Sequence, residues 1–146
     1  MNILILTAGQ NPLSQENGYP LCLTEFDSEP LIQRVIASCA VLQPSNIIVA
    51  LREEDVRKYH LNNIVTLLWP DAKILTVQGD TQGAACTSLL AAGMIDIKEE
   101  LLIVNGNELI DTNFLDIVKN FHQRQLDAGV VVFHSIHPRY SYVRLD

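Results

Sequence analysis

The sequence predicts an α/β protein: a three-layer α/β/α sandwich in which a mostly parallel sheet carries helices on both faces. Short apolar runs alternate along the chain with segments of helical periodicity, and this alternation is typical of parallel sheets. The runs are apolar at nearly every position, as expected for strands that are buried on both faces. The 146 residues, of which 48% are hydrophobic and 18% charged, suffice for one domain with a core.

Six strands are predicted. The first, residues 2–7 (NILILT), is nearly all apolar, and residues 46–51 (NIIVAL) form a second buried run. The other strands are predicted at residues 73–77, 101–104, 130–133 and 140–145. The last of these alternates in polarity, and all of the runs are short enough to suit strands better than helices.

The segments between the strands predict helices. Leu31, Val35 and Cys39 recur at helical spacing after Pro30, a residue that suits the first turn of a helix. The acidic residues 53–55 favour the start of a second helix. Two more helices are predicted at residues 83–95 and 112–126. Residues 1–146 are therefore predicted as a single domain, truncated on its C-terminal side because its last strand ends the chain.

Composition limits the kinds of partner and compartment that the chain can have. A net charge of −7 argues against binding to nucleic acid, which needs clustered Lys and Arg. No apolar run is long enough to span a membrane, and the N-terminus lacks a charged leader. The three cysteines, Cys22, Cys39 and Cys86, form no metal or disulfide pattern. We therefore expect a cytoplasmic protein with reduced thiols.

Ligands of parallel sheets bind beyond the carboxyl ends of the strands, so the segments that leave the strands carry the candidate site. The first is the turn Leu6, Thr7, Ala8 and Gly9, whose small residues let backbone N–H groups approach a nucleotide. This turn matches neither a dinucleotide-binding motif nor a phosphate loop. Residues 1–33 also contain no Lys or Arg.

Two residues after the third predicted strand are also candidates for nucleotide binding. The Gln78 amide offers a donor and an acceptor to a base edge, and Gly83 permits close approach at a helix start. An ordinary strand–loop–helix connection explains the same residues. Arg52, Arg57 and Lys58 follow the second strand and could meet an anion, although a solvated helix face also explains them.

A third segment, residues 105–111, follows the fourth predicted strand and is a candidate metal site. Mg²⁺ prefers carboxylate, phosphate and water oxygens, whereas Asn107 offers a neutral carbonyl oxygen. Glu108 would point to the opposite side if the strand continues. Asp111 is placed to cap the next helix, or is solvated like Glu108. Mg²⁺ is therefore only weakly supported as a cofactor.

In their order, these segments resemble the nucleotidyltransferases that activate sugar phosphates, the NDP-sugar pyrophosphorylases. The family opens with a strand and L-A-A-G-x-G-x-R, continues with a P-K pair and a G-K-P-L-type turn, and later has a G-D pair. This chain has, in the same order, residues 6–9 (LTAG), 18–20 (GYP), 28–32 (SEPLI), Gln78, Gly83, and 105–107 (NGN). The resemblance implies a GT-A-like, Rossmann-like fold of the nucleotide-diphospho-sugar transferase type.

The resemblance also implies a reaction, in which an NTP and a sugar phosphate give an NDP-sugar and pyrophosphate, in support of surface-polysaccharide synthesis. The sugar phosphate is the nucleophile, so no protein base is required. Base contacts would come from the 6–9 backbone, Gln78 and Gly83, and the family's metal ligand would lie at position 107. The implied partners are a nucleotide or a nucleotide sugar.

The chain departs from the family at the charged positions. Asn11 replaces the second Gly, Leu13 the Arg, Leu21 the Lys, and Asn107 the metal-binding Asp. Loss of one such charge donor typically slows transfer by roughly 100- to 1000-fold. No catalytic residue of the family pattern is therefore intact, and we expect weak or lost activity.

Two other classes of function remain open. A non-catalytic module could keep the fold and bind a nucleotide, a sugar or a protein. A GT-A-like glycosyltransferase ranks last because the sequence contains no D-x-D motif. If a missing segment normally covers the sheet, the chain exposes apolar surface and is expected to form homo-oligomers.

Overall fold

A parallel four-stranded sheet forms the centre of the computed structural model, which describes residues 1–9, 19–137 and 140–144. The strands are β1 (Asn2–Leu6), β2 (Glu25–Phe26), β3 (Glu29–Pro30), β4 (Asn46–Arg52), β5 (Lys73–Val77) and β6 (Leu101–Asn105). The helices are α1 (Leu31–Ala40), α2 (Glu53–Tyr59), α3 (Leu61–Leu68), α4 (Ala84–Leu90) and α5 (Phe114–Gln123). The main sheet has the order β5-β4-β1-β6, and β2 and β3 form a small antiparallel hairpin.

Helices and turns cover both faces of the central strands, which confirms the predicted α/β/α layering. On one face, side chains such as Ile3 and Val49 pack against Val35 of α1 and Val65 of α3, and all four are at most 2% exposed. On the other face, Leu4 and Ile48 contact Ala91, which follows α4. The second layer is thinner because α4 is short and a 3₁₀ turn (Ala92–Met94) continues it.

The amide of Asn2 holds the amino ends of the strands together. Asn2 is fully buried, and its Oδ1 accepts from Asn46 Nδ2 (3.0 Å) and from the Asp96 N–H (3.1 Å). Its Nδ2 donates to the Asp96 carbonyl (2.9 Å), and Asn46 Nδ2 also donates to the Met94 carbonyl (2.9 Å). Asn2 lies opposite Asn46 in the sheet, so these bonds set the register of β1, β4 and the segment that leads into β6.

Two predicted strands are wrong. Residues 130–133 and the described residues 140–144 are not in a strand, and the side chains of Val130 and Phe133 are 77% and 68% exposed. Both segments have the composition of strands, but a strand also requires a neighbour to which it can hydrogen-bond. Within the described residues, β6 pairs only with β1, and its Leu101 and Ile103 remain exposed. Residue 145 lies outside the described residues.

The helix predictions are correct in position and less accurate in extent. The segment 83–95 is helical only in α4 and the 3₁₀ turn, and the segment 112–126 only in α5. Asn113 caps α5 by accepting from the Leu115 N–H (2.9 Å), so Asp111 is exposed and is not the cap. After α2, the left-handed His60 (φ 52°) turns the chain into α3, a helix that is not among those predicted.

All three cysteines are free, and two of them are buried. Burial raises the pKa of the Cys22 and Cys39 thiols from 9.0 to about 12 in each case, and the Asp55 carboxylate adds to the effect at Cys22. Cys86 is exposed on α4. In the described part of the chain, no helix is both long and apolar enough to cross a bilayer.

Replacement of Asn2 with Ala should destabilise the protein by about 2–5 kcal/mol, because each buried partner left unsatisfied costs roughly 1–3 kcal/mol. The free energy of unfolding in urea measures this change. Asn63→Ala, at an exposed helical position, is the matched control and should change stability by less than about 0.5 kcal/mol. Equal losses in the two variants would contradict the role assigned to Asn2.

Thiol labelling at pH 8 should show one fast cysteine and two slow ones. A pKa of about 12 in place of 9.0 leaves about a thousandfold less thiolate, the reactive form, at Cys22 and Cys39. Mass spectrometry after alkylation should find Cys86 modified first. Cys86→Ser should abolish the fast phase, and a fast phase that persists in this variant would refute the assignment.

Candidate functional site

The carboxyl ends of the four parallel strands form one edge of the sheet, and the predicted site residues lie along it. Leu6 at the end of β1 pairs with Ala50 of β4 and with Asn105 of β6. The exit of β1 therefore lies between β4 and β6. Gln78 follows β5 on the far side of β4, so the predicted residues occupy the edge from β5 to β6.

The turn after β1 offers a ligand its backbone more than its side chains. Thr7 is 5% exposed, and both its Oγ1 (2.7 Å) and its N–H (3.0 Å) donate to the Ala50 carbonyl. Leu6 is half-buried and packs on Leu4 and Ala8. In the described part of the chain, no carbonyl accepts from the N–H groups of Ala8 and Gly9. Gly9 is exposed, and among the described residues nothing lies within 4 Å of a Cβ built on it, so a ligand could reach the backbone there.

Gly106 is required because the exit of β6 packs directly onto β1. Its N–H donates to the Leu6 carbonyl (2.8 Å). A Cβ on Gly106 would lie 2.9 Å from Cγ2 of Ile5 and closer still to Cγ2 of Thr7. A glycine at this position of the family's G-D pair therefore has a packing role that is independent of any metal.

Asn107 is the position in the segment 105–111 at which the resemblance implies a metal ligand. Its N–H donates to Asn105 Oδ1 (3.0 Å), and its side chain is half-exposed. Within residues 1–9, 19–137 and 140–144, no group of three His, Cys, Asp or Glu side chains could hold a metal ion. Neutral amides at positions 105 and 107 do not by themselves fit Mg²⁺, which prefers carboxylates.

The positions at which the resembling enzymes carry an Arg and a Lys are occupied by Leu13 and Leu21. Leu21 begins a half-buried 3₁₀ turn (Leu21–Leu23) whose other residues belong to the core. Asn11 and Leu13 lie outside the described residues. Arg34, the first cation in the sequence, lies in α1 and pairs with Asp27 (3.0 Å) and Glu29 (3.8 Å). Its guanidinium also stacks on Phe26 (5.0 Å), so it is engaged at the β2–β3 hairpin.

The loop after β5 adopts conformations that favour glycine. Gly79 (φ +66°) and Gly83 (φ +109°) both have positive φ, and no described residue lies within 4 Å of a Cβ built on either. Thr81 hydrogen-bonds Thr87 of α4 (2.6 Å), which holds the loop against that helix. The Gln78 side chain is exposed and donates from Nε2 to Glu53 Oε1 (3.3 Å). This bond connects a predicted base-reading residue to α2.

The structure adds a cavity of about 160 Å³, open to solvent, to the predicted residues. It lies between the ends of β4 and β5 and the first turns of α2, and its lining consists of Arg52, Glu53, Glu54, Arg57, Val77 and Gly79. The sequence indicated cations here but not a cavity, because its walls come from segments about 25 residues apart. Lys58 stacks on the Tyr59 ring (5.1 Å) and does not line the cavity.

Residues 4–146 match the nucleotidyl transferase family, and the chain therefore belongs to that family. No curated protein is similar to the chain at the level of sequence. The family membership agrees with the resemblance carried by the ordered turns.

Solved structures share the fold at low sequence identity. Rv0371c from Mycobacterium tuberculosis H37Rv superposes with a TM-score of 0.63 at 12% identity, over 84% of this chain and 60% of that one. HddC from Yersinia pseudotuberculosis, complexed with GMP-PN, has a TM-score of 0.62 at 14% identity, over 82% and 53%. The nucleoside-diphosphate-sugar pyrophosphorylase from Vibrio cholerae RC9 has a TM-score of 0.57 at 18% identity, over 82% and 53%.

The chain thus spans roughly half of the length of these proteins, between 53% and 60%. HddC is described in complex with GMP-PN and the Vibrio protein as a nucleoside-diphosphate-sugar pyrophosphorylase, but at these identities the likeness establishes the fold alone.

Replacement of Gly106 with Ala should destabilise the protein by about 1–3 kcal/mol, because the new methyl group overpacks the contact with β1. Gly93→Ala is the matched control, since nothing lies within 4 Å of its Cβ position and its φ is not positive. Urea unfolding compares the two variants. A Gly106→Ala protein as stable as the Gly93→Ala protein would show that β6 does not pack this closely on β1.

Proposed function

We propose that the chain binds a nucleotide or a nucleotide sugar at the carboxyl edge of its sheet, as part of sugar-nucleotide synthesis for surface polysaccharides. The observation that carries the proposal is the backbone of Ala8 and Gly9, whose N–H groups donate to no carbonyl in the described structure, together with the exposure of Gly9. Gln78 and Gly83 leave β5 at the same edge and supply a side-chain amide and a close approach. These are the elements that a base and ribose need.

The family reaction is a substitution at phosphorus. An oxygen of the sugar phosphate attacks the α-phosphorus of an NTP, the bond to the bridging oxygen breaks, and pyrophosphate leaves with the electron pair. Negative charge develops on the phosphoryl oxygens, and cations must stabilise it. The chain has Leu21 and Asn107 at positions where charged groups are expected, so transfer in this chain is weak or lost.

A non-catalytic binding module is the second candidate, and the neutral Asn107 is the observation that favours it. The glycine beside it is required for packing, and this role does not depend on a charge at position 107. Such a module would bind a nucleotide, a neutral sugar or a protein. Three free thiols agree with the reducing cytoplasm, which we include in both proposals. Neither proposal requires the protein to self-associate through the exposed apolar residues of β6.

Calorimetry with each NTP and with nucleotide sugars, with and without Mg²⁺, tests the proposal on the whole chain. We expect saturable binding that depends little on Mg²⁺, because the described edge has no carboxylate at position 107. Pyrophosphate release with a panel of sugar phosphates should lie at least about 100-fold below that of an active family member. If no nucleotide or nucleotide sugar binds, the proposal is wrong, and rapid pyrophosphate release would disprove the loss of activity.

Asn107→Asp should make nucleotide binding depend on Mg²⁺, because it restores the ligand type that this ion prefers. Asn63→Asp adds the same charge on α3 and is the control. An equal response to Mg²⁺ in both variants, or no response in Asn107→Asp, would show that position 107 does not belong to the nucleotide site.

A further inference from the structure

The cavity between β4, β5 and α2 has paired donors and acceptors in its walls. Glu53 and Arg57 are four residues apart on α2, so they lie on the same helical face, and both line the cavity. Arg52, at the end of β4, adds a second guanidinium, which lies 3.6 Å from the Glu54 carboxylate. Val77 and the backbone at Gly79 form the opposite wall.

Glu53 is held in place while part of its carboxylate remains available. Gln78 Nε2 donates to its Oε1 (3.3 Å), and in the described structure no donor contacts Oε2. Arg57 likewise has no ion pair among the described residues. The cavity therefore offers a carboxylate acceptor and a guanidinium donor to a ligand.

The size and charge of the cavity favour a base over a phosphate. The cavity measures about 160 Å³ and is open on one side, so a base larger than the benzene ring that fits a closed cavity of roughly 150 Å³ can extend toward solvent. Two carboxylates, Glu53 and Glu54, line it together with the two arginines, so the charges of the lining balance. The two carboxylates would repel a phosphate while the two guanidinium groups attracted it. A neutral base can instead donate hydrogen bonds to the carboxylates and accept them from the guanidinium groups.

We propose that this cavity is a guanine-recognising subsite, in which Arg57 and Arg52 donate to O6 and N7 and Glu53 accepts from N1–H and the 2-amino group. Guanine presents adjacent acceptors at O6 and N7, the pair that Arg binds with two hydrogen bonds. Adenine and cytosine present an amino group where guanine has O6 and are disfavoured by Arg. Uracil presents O4 and N3–H but lacks both N7 and the amino group.

The inference rests on the proposed function, because it names the base of the nucleotide that the sheet edge binds. Gln78 connects the two sites, since it leaves β5 at the same end of the sheet as the Ala8–Gly9 backbone and hydrogen-bonds the Glu53 carboxylate. Glu53 thus acts as a base contact and also positions Gln78.

Calorimetry with GDP, ADP, UDP and CDP on the full chain tests the preference, and we expect GDP to bind about 5- to 150-fold more tightly than the others. Two analogues test the individual contacts. IDP lacks the 2-amino group that Glu53 would accept from, and 7-deaza-GDP lacks N7. Both should bind more weakly than GDP.

Variants of Glu53 and Arg57 test which residue makes the contact that each analogue lacks. In Glu53→Gln the difference between GDP and IDP should shrink, and in Arg57→Met the difference between GDP and 7-deaza-GDP should shrink. Asp71→Asn and Arg124→Met remove the same charges at exposed positions outside the cavity and should leave both differences unchanged. Urea unfolding of each variant verifies that it is folded.

The outcomes separate this inference from the proposed function. Equal binding of all four nucleotides, or a preference for another base, would overturn the guanine subsite and leave nucleotide binding intact. If none of the nucleotides or nucleotide sugars binds, both proposals fail. If GDP is preferred but the two variants behave like their controls, guanine is read elsewhere and the cavity is not its subsite.

Discussion

The buried amide of Asn2 is the interaction on which the rest of the structure depends. Strand side chains alternate between faces, so a slip of one residue would place this amide in an apolar layer and the apolar side chains at its present position. Its bonds to Asn46 and to the backbone of Asp96 are satisfied in one register only. That register brings the carboxyl ends of β4, β1 and β6 to one level, and the candidate site lies there.

The site shows that packing and charge are separable constraints. Gly106 is required because a side chain would collide with β1, and Gly83 is favoured because its φ is +109°, whatever the site binds. No such steric demand applies at position 107, where Asn and Asp have nearly the same shape. The packing of this fold therefore does not depend on a charge at position 107.

Several elements were predictable from the sequence because their signals are local. β1 and β4 are continuous apolar runs, and α1 has a clear helical period, so all three were located to within about one residue. The segments 130–133 and 140–144 have equally good strand composition, but pairing is a non-local property. α3 was missed because His60 restarts the helix in a conformation that its residue type does not indicate.

The sequence by itself determined the alternation of strands and helices, the family, and the neutral residues at Leu21 and Asn107, because composition and order are local properties of the chain. Only the tertiary structure decided that Thr7 hydrogen-bonds the Ala50 carbonyl and that Gly106 is required for packing. It also decided that a cavity lies between β4, β5 and α2. Each of these depends on atoms that lie far apart in the sequence. Their contacts exist only once the parallel register has brought the strand ends together.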